Sequence, residues 1–147
     1  MTTTGWRHRH RDTGSVSIEL AIITPAVLAL LATAVIAGRV NLARQSIEAA
    51  AFDAARTASL ARTKVTAQAE ALAAATSTLT AQGLHCSSIS VAVNTTGFDV
   101  PVGAPATVTV IVTCQATFSD VALAGMPGRA TLSASFTSPL DTYRSRG

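Results

Sequence analysis

The chain has 147 residues, which is room for one small domain and one membrane helix, and 48% of its residues are hydrophobic whereas only 4% are aromatic. Its mean hydropathy of +0.39 is high for a soluble domain, although alanine and one apolar run account for much of it, so any globular part is small and thinly packed. The net charge of +3 does not predict a nucleic-acid partner, because the basic residues are not gathered on one plausible binding face.

Residues 1–14 are polar and basic and predict a cytoplasmic leader peptide. Arg7, Arg9 and Arg11 precede an apolar run. By the positive-inside rule this bias places the N-terminus in the cytoplasm and everything after Arg39 outside the membrane. We therefore expect a single-pass protein of the cell membrane with an extracytoplasmic C-terminal domain.

Residues 15–39 predict a transmembrane helix, to which the resemblance described below adds a role in assembly. No residue from Leu20 to Gly38 is charged, and this stretch would span about 28 Å as a helix, close to the thickness of a bilayer core. Glu19 stands at the start of this stretch, where a carboxylate costs somewhat less than the roughly 2.5 to 3.5 kcal/mol of the membrane centre. Pro25 removes one helical hydrogen bond, and a bend or a locally melted turn is expected there.

The residues around Glu19 resemble a known motif. Glu19 is the fifth residue counted from Ser15, and Ser15 follows Gly14; a glycine, a cut site and an acid at this distance form the processing signature of type IV pilin-like proteins. The runs GSVSIE and ELAIITP and the closing Gly38-Arg39 resemble the N-terminal motif of the TadE-like family, which are pseudopilins of the tight-adherence (Flp pilus) machinery. The resemblance covers about forty residues of the chain.

This resemblance implies a set of partners and roles. A prepilin peptidase would hydrolyse the Gly14–Ser15 bond, and Glu19 would then pair with the new ammonium of Ser15 in a neighbouring subunit. The region of Pro25 would let the helix adapt between bilayer and filament. The implied partners are prepilin peptidase, other pilin or pseudopilin subunits, the inner-membrane pilus assembly platform and membrane lipid.

Two alternatives remain open at this point. Ordinary signal peptidase would cut near Ala34 or Ala37, since small residues there form acceptable sites. Glu19 would in that case be an acid that tolerates its place near the lipid headgroups. Against this cleavage stand Glu19 itself, for which a plain signal peptide has no use, and the helical pattern that continues through the alternative cut sites.

Residues 40–83 predict one extracytoplasmic amphipathic helix. Apolar or small residues recur with a spacing near 3.6, and Gly83 suits a C-terminal cap, so the helix should end between Ala75 and Gly83. We expect the N-terminal half of this stripe to pack on neighbouring subunits and the C-terminal half on the protein's own domain. The stripe comprises Ile36, Val40, Ala43, Ile47, Ala51, Ala54, Ala58, Ala61, Val65, Ala69, Leu72 and Leu79.

Residues 84–147 predict a small disulfide-linked β domain. Two alternating segments flank the turn-rich stretch 94–105 and read as a hairpin. If Val93 lies opposite Thr107, Cys86 lies opposite Cys114, and a bridge there would contribute roughly 3 to 4 kcal/mol. A third strand begins at Ala130 and should end at Pro139, after a connection over residues 118–129.

These elements predict an α+β, pilin-like fold in which a long N-terminal transmembrane helix continues into a small domain with a three-stranded antiparallel sheet. No catalytic constellation can be assembled, and His85 with two cysteines is too few ligands for a metal; neither an enzyme nor a cofactor is expected. The function implied is a minor pilin or pseudopilin of a tight-adherence pilus or secretion system. The alternative is a membrane-anchored or secreted binding module that presents the loop 94–105 to a ligand.

Overall fold

The computed structural model of the protein describes residues 13–117 and 129–143, with side chains from Glu19 onward. Residues 1–12 of the predicted leader and the predicted connection at 118–128 lie outside this part. The chain divides into two compact units, of which the first ends at Arg39 and the second begins at Val40. The elements are α1 (Thr13–Leu60), α2 (Lys64–Ala81), β1 (Cys86–Asn94), a 3₁₀ helix (Thr96–Asp99), β2 (Ala106–Thr117) and β3 (Arg129–Leu140).

The predicted fold class is confirmed. A long apolar N-terminal helix precedes a small domain whose sheet has the order β1-β2-β3, with both neighbouring pairs antiparallel. The core of the second unit is built mainly from alanines of the two helices and valines of β2. Alanine allows close approach of helices but buries little area per residue, so the hydrophobic contribution of each contact is small.

Burial of the predicted stripe is confirmed along the second half of α1, but the prediction that its N-terminal half packs on neighbouring subunits is wrong, because these residues are buried in the protein's own core. The members of the stripe from Ala43 to Ala58 are almost fully buried, namely Ala43, Ile47, Ala51, Ala54 and Ala58. Ala50 and Ala55 are buried as well, which widens the stripe. This width is typical of a helix that packs on two neighbours rather than one.

The prediction of one continuous helix over residues 40–83 is wrong. Helix α1 ends at Leu60 and α2 begins at Lys64, because Thr63 adopts an extended conformation and caps the second helix. The Thr63 hydroxyl accepts a hydrogen bond from the Thr66 backbone N–H, and the Thr66 hydroxyl accepts one from the Thr63 backbone N–H, both at 3.2 Å. This reciprocal pair is a capping box with Thr in place of the usual Glu or Gln.

The break changes which residues of α2 are buried. Val65 and Leu72, which continue the stripe of an unbroken helix, are 79% and 47% exposed, and Ala69 is exposed too. The buried positions are Ala67, Ala71, Ala75 and Leu79, spaced four residues apart. After the break, α2 starts with a different rotation about its axis. The residues of the predicted stripe beyond Ala61 therefore lie on the exposed face of α2, except for Leu79.

The predicted end of this helical region is confirmed. Gly83 has φ +69°, a left-handed conformation that favours glycine. Its N–H donates to the carbonyl of Thr80 and the N–H of Leu84 donates to the carbonyl of Leu79, both at 3.0 Å. This pair of bonds is a Schellman motif, and it turns the chain from α2 into β1.

The sheet has one apolar and one polar face. The buried face of the central strand carries Val108, Val110, Val112, Cys114 and Ala116. On the other face the strands are linked by hydroxyl pairs, Thr109 with Thr137 at 2.8 Å and Thr113 with Ser133 at 3.2 Å. The alternation therefore matches a sheet that is covered on one side alone.

Two details of the strands differ from the predictions. Val93 lies opposite Val110 and not Thr107. The reason is that β1 ends at Asn94 opposite Thr109 and the chain turns into the 3₁₀ helix there, so that the pairing from Ile89 onward is displaced by three residues along β2. Pro139 does not end the third strand, which continues to Leu140. Proline is tolerated in an edge strand because a missing N–H costs nothing on the unpaired side.

Both helices of the second unit pack on the buried face of the sheet. Helix α2 lies against β1, and its Thr78 hydroxyl donates to the Asp53 carboxylate of α1 at 2.8 Å. At the other edge of the sheet, the Ser138 hydroxyl of β3 donates to that of Ser59 at 3.1 Å. The last third of α1 is thus fixed between α2 and β3.

The loop between β1 and β2 is packed rather than extended into solvent. Phe98 is buried, and a Cβ on Gly97 would lie 2.1 Å from the carbonyl oxygen of Thr107. The Asn94 side-chain oxygen accepts hydrogen bonds from the backbone N–H and the hydroxyl of Thr96. The middle of the loop 94–105, which was predicted to be presented to a ligand, is therefore packed against the hydrophobic core.

We predict that Thr63→Ala lowers the free energy of unfolding by about 1 kcal/mol, because it removes the N-cap of α2. Chemical denaturation of the purified protein in detergent measures the change. The matched control is Thr76→Ala in the same helix, whose hydroxyl bonds to the carbonyl of Leu72; it should be neutral or slightly stabilising. Equal losses in the two variants would contradict the helix break.

Candidate processing and assembly site

The three residues of the predicted processing signature lie at the start of one helix. Helix α1 begins at Thr13, so Gly14 and Ser15 lie in its first turn. Glu19 lies four residues after Ser15, about 6 Å further along the helix axis. Its side chain is exposed, and within the described part of the chain no group forms a hydrogen bond or an ion pair with it.

The segment that follows Glu19 is apolar on every side. By length and composition, the helix from Glu19 to Leu60 is long and apolar enough to cross a membrane, with a mean hydropathy of 2.5 in its most apolar window. No residue of that window is buried inside the protein. A helix that is hydrophobic all round requires a lipid or protein environment. Glu19 therefore places a carboxylate at the boundary of this apolar surface.

The hydroxyl groups inside this segment are bonded within the helix. The hydroxyl of Thr24 donates to the carbonyl of Leu20 at 2.6 Å, and that of Thr33 donates to the carbonyl of Ala29 at 2.8 Å. A hydroxyl in hydrocarbon is costly unless it is hydrogen-bonded. These bonds leave Glu19 as the polar side chain of the segment that still needs a partner.

Pro25 lies inside α1 without interrupting it. The helix is continuous from Thr13 to Leu60, so the expected melted turn is not observed. A shallow apolar notch lies next to the proline and is lined by Leu20, Ala21, Thr24, Pro25 and Leu28. Since proline carries no N–H, the carbonyl of Ala21 lacks its usual helical donor at this notch.

The predicted disulfide joins Cys86 and Cys114, whose Cα atoms are 5.6 Å apart. The two residues are not direct partners in the ladder, because Cys86 lies opposite Ala116 and Cys114 opposite Ile89. The irregularity before Ile89 brings the sulfur atoms together across this diagonal. The pairing prediction is confirmed, although the register from which it came is wrong.

An aromatic contact on the surface of the second unit was not predicted. Phe52 of α1 and Phe136 of β3 stack edge to face with ring centroids 4.8 Å apart. Both rings are partly exposed and line a shallow groove with the carboxylate of Glu48. Phe52 lies outside the predicted stripe. A large aromatic residue on the exposed side of a helix is the feature of the sequence that could have indicated a surface contact.

The described residues hold no group of three or more histidine, cysteine or acidic side chains that could bind a metal ion. The apolar helix with Glu19 at its edge is thus the feature to compare with known proteins.

A model of the family described as TadE-like protein matches residues 14–56. The match begins at Gly14 and includes Ser15, Glu19 and Pro25, so it confirms the resemblance for the N-terminal segment and associates it with components of the tight-adherence pilus. The remainder of the chain lies outside the match. No curated protein and no solved structure matches the chain.

We predict that replacing both cysteines by alanine lowers the free energy of unfolding by about 3 to 4 kcal/mol, because the bridge closes a loop with a sequence separation of 28 residues. Denaturation with and without reductant provides the control. Reductant should destabilise the wild-type protein by a similar amount and leave the double variant unchanged. A wild-type protein whose stability is insensitive to full reduction would contradict this role of the bridge.

Proposed function

We propose that the protein is a minor pilin or pseudopilin of a tight-adherence pilus or a related secretion system, cut by prepilin peptidase and assembled through α1. The observation that carries this proposal is the single carboxylate of Glu19 at the edge of an exposed apolar helix, five residues into the chain that begins at Ser15. The TadE-like match over residues 14–56 supports it, because it covers this part of the chain.

The first step of the proposal is hydrolysis of the Gly14–Ser15 bond. Water adds to the carbonyl carbon of Gly14, the leader leaves with a new carboxylate, and Ser15 keeps a new amino group. The glycine allows the backbone to fit a narrow protease site. The protein is in this scheme a substrate of the peptidase and has no catalytic role of its own.

The second step is assembly. An ionised carboxylate without a partner is costly in a low-dielectric bundle, whereas a paired carboxylate is much less so. The ammonium of Ser15 in a neighbouring subunit supplies the partner, and pairing fixes the relative position of two helices. The apolar surface of residues 20–38 then packs on other subunits after it leaves the lipid.

The proposed topology has the N-terminus in the cytoplasm and the second unit outside. Three arginines before the apolar run favour this direction of insertion. The Cys86–Cys114 bridge supports it, because disulfides persist in oxidising compartments such as the bacterial periplasm. The partners are then prepilin peptidase, other subunits, the assembly platform and membrane lipid.

The test is the N-terminal sequence and mass of the protein from membranes and from the sheared cell surface, with and without prepilin peptidase. We expect a mature chain that begins at Ser15, and an intact leader in Gly14→Leu. A chain that begins near Val35 or Gly38, or that keeps its leader when the peptidase is present, would contradict the proposal. It would favour the anchored or secreted binding module instead.

We further predict that Glu19→Ala is cut normally but is depleted from the sheared fraction. Loss of a charge-assisted hydrogen bond of about 1.5 to 3 kcal/mol corresponds to about a 10- to 100-fold weaker contact. Quantitative immunoblots of the two fractions measure this. Glu70→Ala, which removes an exposed carboxylate of α2, is the matched control and should behave as wild type; equal assembly of Glu19→Ala would contradict the pairing role.

A further inference from the structure

The outer side of α1 in the second unit exposes large apolar side chains. Leu42, Phe52 and Leu60 are 63%, 42% and 58% exposed. The chain has only four phenylalanines, and Phe52 and Phe136 lie together at the surface groove rather than in the core. An exposed aromatic pair beside polar residues, as at this groove, marks an interaction surface.

The ridge of α1 that includes Phe52 carries charges without partners. Arg44, Glu48, Phe52 and Arg56 follow one another at intervals of four residues and form a ridge along α1. Within the part of the chain that the structure describes, none of the three charged residues of this ridge forms an ion pair. Arginine before glutamate at this spacing is the less favourable order in an isolated helix, which fits the missing pair.

Glu48 is the carboxylate at the groove that is free to bind a cation. The other acid there, Asp53, already accepts a hydrogen bond from Thr78 at 2.8 Å. Glu48 borders the Phe52–Phe136 pair. The groove therefore offers an aromatic surface beside a negative charge, a combination that suits an arginine side chain.

We propose that the ridge Arg44–Glu48–Phe52–Arg56 docks against α1 of a second copy of this chain, with Glu48 bound to Arg44 or Arg56 of that copy. The proposal rests on the proposed function in one respect: insertion in one direction and assembly through α1 make the α1 helices of neighbouring copies parallel. Charge complementarity selects the occupant, because the same ridge carries both the free carboxylate and the free guanidinium groups.

The register follows from the spacing. In parallel helices, Glu48 meets Arg44 of the neighbour after an axial offset of four residues, about 6 Å, and meets Arg56 after one of eight residues, about 12 Å. An antiparallel arrangement would pair Glu48 with Arg56 around Phe52 but requires opposite insertion of the two copies. Two offsets are therefore the candidates, and they can be told apart.

The test uses disulfide cross-linking between two differently tagged full-length copies in membranes. One copy carries Glu48→Cys and the other carries Arg44→Cys or Arg56→Cys. We expect one of these two combinations to give a cross-linked heterodimer at several times the yield of the other, which identifies the offset. Glu70→Cys, on the exposed face of α2, replaces Glu48→Cys in the matched control and should give only background.

A yield with Glu48→Cys no higher than with Glu70→Cys would overturn the proposal. This result is distinguishable from failure of the proposed function, which is read from the N-terminus of the same samples. Charge exchange provides a second measurement: Glu48→Arg should reduce recovery of filaments from the cell surface, and adding Arg44→Glu or Arg56→Glu in the same chain should restore it. Recovery unaffected by Glu48→Arg, or restored by neither exchange, would likewise contradict the interface.

Discussion

The structure of this protein depends on one constraint: the carboxylate of Glu19 lies at the edge of a helix surface that is too apolar to be stable in water. The apolar segment after Glu19 is exposed on all sides, and the threonine hydroxyls within it are bonded to the helix backbone. Lipid or neighbouring helices can cover the apolar side chains equally well, but the hydrocarbon core of a bilayer offers Glu19 no cation. A helix with this composition is therefore stable in a membrane and becomes better satisfied in an assembly that provides a positive charge beside Glu19.

The second unit gains little hydrophobic stabilisation from its core, because the core contains much alanine and little aromatic surface. Local interactions that fix the chain at its turns compensate for this. Thr63 caps α2, the left-handed Gly83 ends it, and the Cys86–Cys114 bridge ties the following strand to the centre of the sheet. Each device acts at a junction between elements, so the small core has to supply less of the stability. The aromatic pair of Phe52 and Phe136 remains available at the surface instead.

Much of the fold could be predicted, and the errors have physical causes. Period-two alternation placed the three strands and the buried face of β2, and the absence of charges located the apolar helix. The helix break at Thr63 was missed because the residues on both sides are good helix formers, and only the Thr63–Thr66 hydroxyl pair favours a cap. The register was wrong because a long loop leaves the pairing of its two strands open, and the 3₁₀ helix Thr96–Asp99 within this loop sets where β1 ends against β2. Phe52 is visible in the sequence as an aromatic residue outside the stripe, but Phe136 is far away in the chain and no local pattern identifies it as the partner.

The pairing that we propose joins Glu19 to the ammonium of Ser15 in another copy. Zero-length carbodiimide coupling of filaments grown from mixed light and heavy-isotope copies tests this pair directly. The account predicts an amide between Ser15 of one isotope and Glu19 of the other, found by mass spectrometry. The exposed Lys64–Asp99 ion pair is the internal control, because it should couple within one copy. Coupling of Lys64 to Asp99 without any mixed Ser15–Glu19 product would contradict the account.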